Sequence, residues 1–444
     1  GNDGIDPNLW AHNWKAVTDS CYHYHMNETT QPGYEFSSTS MPNADLKWET
    51  TVTRNLGIDF GFWKNRLTGS VDVYWNTTKD LLMVTAIPGI TGFTQTYANV
   101  GQTSNKGVEI ALQGVIFENR NWNISAGFNI NFNKNNVDKL SDSVSGLYGT
   151  QWGSSMTNPQ QDYLLRVDSP VGLVRGWVYD GFYTVDDFTY ENGVYTLKPG
   201  VVDIAEGQIM KTLHGIPRGA RPKGQTAYPG MARFKDIDGD GKAGEADLTV
   251  IGDMTPKHTG GFNLNATFKG IDFGAYFNWS YGNKIYNAHK LASLYNNKDG
   301  AVFENKLAIT KNQFRIFDVS NDQITQLTTP DALRAANTAA SLPYAYNEEP
   351  IVSSLGIESG SFLRLNTLTL GYTLPKTITK KFGVSNLRVY ASIYNVCTIT
   401  GYSGLDPEVS TNTSQNKQVY PTLGLDWGAY PRPRSYVVGL NVSF

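Results

Sequence analysis

The stretch that decides the fold is the last one, Tyr436-Val437-Val438-Gly439-Leu440-Asn441-Val442-Ser443-Phe444. Every second residue is large and apolar (Tyr436, Val438, Leu440, Val442, Phe444), and the residues between them are small or polar. This is a β-strand with one greasy and one small, polar face. In a soluble protein the greasy face packs on a core. In a membrane barrel it faces lipid while the polar face looks onto water.

The same alternation recurs upstream, in pairs. Leu56, Ile58, Phe60 and Phe62 are followed, across Trp63–Arg66, by Leu67, Gly69, Val71, Val73 and Trp75. Val108, Ile110 and Leu112 are followed by Trp122, Ile124, Ala126, Phe128, Ile130 and Phe132. Phe262 to Phe268 turns at Lys269-Gly270 and returns through Ile271 to Tyr281. A fourth pair covers Ser361–Leu374 and Leu387–Thr398, joined by a short helical turn at Lys376–Lys381. With the terminal strand this gives about nine strands, each near the length that a tilted membrane strand requires. Leu363 and Leu365 sit on one parity, whereas Leu368, Leu370 and Tyr372 sit on the other. A β-bulge near Asn366-Thr367 is therefore expected.

Composition sets the outer bounds. The chain has 444 residues, a formal net charge of -3, 17% charged residues, 12% aromatics and 44 glycines. This balance points to strands and turns, not to a nucleic-acid or anionic-surface binder. No apolar run is long enough for a membrane-spanning helix, which leaves a barrel open. Cys21 and Cys397 form no disulfide framework. The chain opens at Gly1 in loop-like composition, with no initiator Met or signal segment, as expected of a fragment or a processed chain.

Connections decide between the architectures. Those within pairs are short; those between pairs, at 77–105, 134–257, 282–360 and 400–432, are long. Residues 1–45 read as a further loop segment, and 46–444 as barrel strands with these loops. Antiparallel strands place alternate connections at opposite ends, so one end is trimmed and the other carries nearly all irregular chain, as in outer-membrane barrels. The short turns are expected on the periplasmic side and the long loops outside. Asn129, Asn131, Asn133, Asn263, Asn265 and Asn278 should line a wet interior. Trp75, Trp122, Trp279 and Tyr281 fall near strand ends, where aromatic girdles meet headgroups. Within 134–257, the stretches Gly176–Tyr183 and Val194–Leu197 are candidate small strands.

The sharpest chemical motif is Asp236-Ile237-Asp238-Gly239-Asp240-Gly241-Lys242-Ala243-Gly244-Glu245-Ala246-Asp247. Carboxylates at positions 1, 3 and 5, glycine at 6, a carbonyl from Lys242 at 7 and Asp247 at 12 give hard oxygen ligands at Ca²⁺-loop spacing, with a helical start at Glu245–Thr249. The bland alternative is a solvated Asp/Gly turn. Cys21, His23 and His25 would share one face of an extended segment, but no fourth metal ligand accompanies them. Aromatics crowd the long connections. Trp152, Trp177, Tyr183 and Trp427 are candidates for stacking on a sugar or peptide, against the simpler reading of loop-core packing. No nucleophile elbow, phosphate loop or zinc-protease helix is present, and no enzymatic activity is expected.

Several stretches together resemble the SusC-like TonB-dependent outer-membrane transporters of Bacteroidota. They are Asp45–Thr51, Asn105–Ile110, Phe234–Gly241, Pro256–Phe262, Ser361–Leu365, Tyr402–Glu408 and Tyr430–Phe444. The resemblance implies an all-β chain supplying the C-terminal portion of a 22-stranded antiparallel transmembrane barrel. The plug domain and early strands would lie in the N-terminal half of the same transporter, as a partner segment. It also implies a SusD-like lipoprotein over the loops, drive from the TonB machinery, and uptake of oligosaccharides or peptides. Two rivals use the same alternation: a soluble all-β glycan-binding module, and a surface glycosidase with a carboxylate pair in a loop pocket.

Overall fold

The computed structural model describes residues 14–17, 33–36, 40–141, 146–149, 157–211, 213–295, 305–320, 323–347, 349–409 and 422–444. Its frame is one antiparallel sheet of nine principal strands. These are β1 (Asn55–Phe62), β2 (Leu67–Ala86), β3 (Gln95–Glu118), β4 (Trp122–Lys139), β5 (His258–Phe268), β6 (Ile271–Tyr281), β7 (Phe362–Thr373), β8 (Asn386–Thr400) and β9 (Ser435–Ser443). Each pairs with its sequence neighbours, so the sheet is a simple meander.

Register sorts the side chains into rows. One row reads Phe60, Gly69, Leu112, Phe128, Phe262, Phe277, Leu365, Cys397. The row two residues along reads Phe62, Leu67, Gly114, Ala126, Leu264, Ala275, Leu368, Ile393, Tyr436. The row on the other side of the first projects from the opposite face: Asp59, Ser70, Ala111, Asn129, Gly261, Asn278, Arg364, Thr398. The apolar rows are uncovered; Leu56 is 66% exposed and Val438 77%. A soluble sandwich would bury them against a second sheet. Here nothing among the described residues packs on them, as lipid-facing rows require.

The bulge lies where the parity change puts it. Leu365 pairs with Phe277 and Thr367 with Tyr276, and Asn366 is left between. On the other side Leu365 meets Cys397 and Thr367 meets Tyr394, with Asn395 in the left-handed region at φ 53°. The extra residue returns Leu368, Leu370 and Tyr372 to the apolar face. At the short-turn end Trp63, Lys64 and Asn65 all have positive φ, and Lys269-Gly270 makes a tight hairpin at φ 45° and 91°. The link between β7 and β8 is helical over Lys376–Thr379 and Lys380–Phe382. Aromatics border the apolar band as expected. Trp122 stacks on Phe268 at 4.2 Å near the short turns, and Tyr281 on His258 at 4.9 Å near the opposite end.

Three expectations need correction. First, 77–105 is not a long loop. β2 and β3 run on to Ala86 and from Gln95, leaving only residues 87–94 as the connection. Second, residues 1–45 are not all loop: Trp14–Val17 pairs with Gly33–Phe36, and Ser40–Met41 pairs in parallel with Gln95–Thr96.

Third, the segments 134–257, 282–360 and 400–432 are not separate loops. β4 first continues to Lys139; beyond it the three segments fold into one body with its own core. Leu173–Gly176 pairs with Thr249–Asp253, and Phe188–Glu191 with Val194–Leu197. Lys284–Asn287 pairs with Ile357–Ser359 and, in parallel, with Leu425–Asp426. Trp177, Tyr228, Phe234, Tyr286, Leu291, Tyr346 and Leu425, from all three segments, share the core. The Tyr163 hydroxyl donates to the Leu423 carbonyl (2.8 Å), and the Trp177 amide to that of Val352 (3.0 Å).

The body sits on the polar side of the sheet. On β4, Asn131, Asn133 and Asn135 share a parity with Val137, which is 2% exposed in the core of the loop body. Phe132, on the other parity, is followed by Lys134, Asn136 and Asp138. The two faces thus exchange polarity along the strand. Where β4 leaves the apolar band, its outer face turns polar and its inner face turns greasy to receive the loop body.

Candidate functional site

The inner face of the sheet is a wall of amides, hydroxyls and carboxylates held to one another. The Tyr74 hydroxyl donates to Asn133 Oδ1 (3.0 Å). Asn131 Nδ2 donates to Glu109 Oε1 (3.0 Å), Asn55 to Asp72 (3.2 Å), and the Tyr276 hydroxyl to Asn265 (3.0 Å). Register places them together: Asp72, Glu109 and Asn131 face one another across three strands. Such a wall offers donors and acceptors to water or a polar solute without one dominating charge.

Above it, ion pairs tie the loop body to the wall and its own segments to one another. Arg364 projects inward from β7 and is 1% exposed. It reaches Asp406 (2.6 Å) and Glu408 (3.0 Å), and Glu408 also pairs with Arg432 (2.9 Å). Lys290 pairs with Glu358 (3.0 Å), which also accepts from the Ser403 amide and hydroxyl (both 2.8 Å). Burial raises the Glu358 carboxyl, but the bonds from Ser403 and Lys290 outweigh it and hold the group below its usual range. These anchors carry no signal in the sequence, because a pattern of local spacing cannot show that Arg364 meets Asp406.

The acidic turn lies in the same body. Asp236, Asp238 and Asp240 each present a carboxylate oxygen within 4.8 Å of the others. Gly239 and Gly241, at φ 82° and 88°, allow the tight coil. Asp236 accepts from the amides of Gly241 (2.8 Å) and Gly239 (2.7 Å). The Gly241 amide foremost, against slight desolvation, holds its carboxyl below the usual range. Asp238 accepts from the Asp240 amide but is pushed up by desolvation and by the charges of Asp240 and Asp247. Negative charge is therefore crowded here, on hard oxygen donors that suit a Ca²⁺-sized cation. Lys242 donates its amide to Asp240 (2.7 Å) and pairs with Asp203 in a short parallel ladder.

Asp247 departs from its expected place. It is 1% exposed and does not join the three carboxylates. Its Oδ1 accepts from the amides of Ile237 (2.5 Å) and Asp238 (3.2 Å), and its Oδ2 from Gly244 (2.6 Å). An aspartate is one methylene shorter than the usual glutamate, and here it braces the backbone of the turn. The helix expected after the turn is a single 3₁₀ turn at Glu245–Asp247, followed by a strand.

The stacking aromatics also need correction. Trp177 and Tyr183 have no exposed surface. Trp177 Nε1 donates to the Gly244 carbonyl (2.7 Å) and the Tyr183 hydroxyl to Val202 (2.6 Å), so both are core residues and offer no ring face to a ligand. Trp427 is half-buried against the same core. Trp152 and the Cys21, His23, His25 group lie outside the described residues.

Comparison with known proteins agrees with this geometry. Residues 19–203 match the family described as TonB dependent receptor-like, beta-barrel. TonB-dependent receptor P3 of Formosa agariphila is 30% identical over 406 residues, 91% of this chain and 35% of that protein. TonB-dependent receptor SusC of Bacteroides thetaiotaomicron is 27% identical over 421 residues, 93% of this chain and 34% of that protein. The chain is thus similar, over more than nine-tenths of its length, to TonB-dependent receptors, SusC among them. The structure of the RagAB peptide importer in its closed-closed state superposes with a TM-score of 0.65 at 25% identity, covering 98% of this chain and 38% of that one. The RagAB peptide transporter, at 24% identity and TM-score 0.66, shares the fold. The chain described here is thus outer-membrane barrel, and spans little more than a third of the relatives it matches.

Proposed function

We propose that this chain forms part of the wall, and the loop body over one mouth, of an importer for oligosaccharides or peptides. The observation that carries the reading is the sheet with uncovered apolar rows on one face and a hydrogen-bonded polar wall on the other, capped at one end only. The loop body faces outward, where a SusD-like lipoprotein covers it, and the TonB machinery acts through a plug and early strands in the N-terminal part of the same protein. A solved structure named as a peptide importer supports the peptide class; the oligosaccharide class rests on the resemblance of the sequence to SusC-like transporters.

The test is uptake by cells carrying or lacking the complete receptor, given labelled oligosaccharides and oligopeptides. Accumulation of one class should need the receptor, an intact TonB and the lipoprotein. Equal uptake of both classes without the receptor would remove the proposal.

Within the loop body, Asp236, Asp238 and Asp240, with the Lys242 carbonyl, would hold Ca²⁺ as a structural brace, and Asp247 would fix the turn around it. Chelation should lower the melting midpoint of the loop body and added Ca²⁺ should restore it. An Asp236→Ala/Asp238→Ala variant should show neither response. A chelator-insensitive midpoint in the wild type would eliminate the ion.

A further inference from the structure

The exchange of polarity on β2–β4 leaves one row at the border. The outermost apolar row on these strands is Leu56, Val73, Val108, Phe132; the next on the same face is Trp75, Lys106, Lys134. Lys257, just before β5, is held there by its amide bond to the Tyr281 carbonyl (2.8 Å). The three lysines line one open groove on the outer face, with Trp75, Val108 and Phe132 as its apolar floor. All three are exposed, and among the described residues none makes an ion pair. The carboxylate that Lys106 senses, Asp138, is already bonded to Ser104 (2.7 Å), Asn136 (2.8 Å) and Gln102 (3.3 Å).

A single lysine at this depth is satisfied by water at the end of its stem. Three around one groove repel each other, and an anion between them relieves that repulsion. The floor below is apolar and continuous with the lipid-facing rows, so the anion that fits carries acyl chains beneath its charge.

We infer that Lys106, Lys134 and Lys257 form a binding site for the phosphorylated headgroup of a membrane lipid, in the leaflet on the loop-body side. Phosphate oxygens meet the three ammonium groups, an acyl chain lies along Val108 and Phe132, and Trp75 sits at the carbonyl depth between them. The identity of that leaflet as the outer one rests on the orientation proposed above.

The experiment uses the complete receptor in detergent micelles. Native mass spectrometry would follow titration with bisphosphorylated lipid A and with its dephosphorylated form. Wild type should retain the phosphorylated lipid. A Lys106→Gln/Lys134→Gln/Lys257→Gln variant should bind it about tenfold or more weakly, with less dependence on salt. The matching triple Lys→Arg variant should bind as wild type does, and the dephosphorylated lipid should bind weakly to every form. Equal binding of the phosphorylated lipid by wild type and the Gln variant would overturn the inference. So would its displacement by excess inorganic phosphate alone, which would make the site one for free phosphate. Heat-modifiable migration would confirm that each variant is a folded barrel. Orientation is read separately, by labelling Ile90→Cys and Lys64→Cys in intact cells. Label at Lys64→Cys but not Ile90→Cys would reverse the orientation and move the site to the other leaflet, while leaving the lysine result to stand or fall alone.

Discussion

At the scale of single residues, the strongest commitments are buried charges. Arg364 is closed off from water and its charge is balanced by Asp406 and Glu408. Removing one partner leaves an uncompensated buried charge, at a cost of about 3–5 kcal/mol. Asp406→Asn should therefore lower the melting midpoint of the loop body, read by tryptophan fluorescence, while heat-modifiable barrel migration is unchanged. No drop in that midpoint would show the pair to be dispensable. Glu358 gives a pH dependence of definite sign. Its folded pKa lies below the ordinary value of about 4.3. Its contribution is complete above that value and is lost as pH falls through the lower, folded one. The loop body should keep a constant midpoint from pH 7 to about 5 and lose stability only below about pH 4, and Glu358→Gln should flatten that acid limb. Sequence alone showed neither contact, since Arg364 and Asp406, or Lys290 and Glu358, are brought together by the tertiary fold. It also left Trp177 ambiguous: an aromatic in a long connection looks the same whether it stacks on a ligand or fills a core.

At the scale of elements, the strands were legible because lipid imposes a strict period of two. A parity break such as Leu365 to Leu368 therefore had to mean a bulge. Deleting Asn366 and Thr367 together would put Leu368 directly after Leu365, turning Leu368, Leu370 and Tyr372 toward the polar wall and sending Thr369 into lipid. The expected result is loss of the heat-modifiable folded band, and a normal band would mean that the bulge is not what holds the register. On β9, Leu440→Lys places a charge on the lipid face, at about 2–4 kcal/mol near the midplane. Asn441→Lys on the wall should cost far less; comparable membrane abundance of the two variants would contradict the assigned faces. The far ends of β2 and β3 were misread as loop for the same physical reason. Beyond Trp75 and Lys106 the apolar face no longer meets lipid, so alternation loses its usual sense and Thr77, Ser104 and Asn136 read as irregular chain.

At the scale of the whole molecule, the sheet among the described residues is open. β1 pairs only with β2 along its length, and β9 only with β8. Each outer edge presents unpaired backbone N–H and C=O groups, which cost several kcal/mol apiece in hydrocarbon. Residues 1–444 expressed alone should therefore fail to give a monodisperse monomer in detergent-free buffer. Recovery of such a monomer by size exclusion would count against the membrane reading. The body over the polar face has a different consequence, one for engineering. Its core draws side chains from three stretches far apart in sequence, so no one of them keeps its shape without the other two. Exchanging one connection with that of a relative should give misfolded hybrids, whereas transplanting all three together should keep a packed body. Ligand preference in such receptors would then be inherited as a block and would resist piecemeal change.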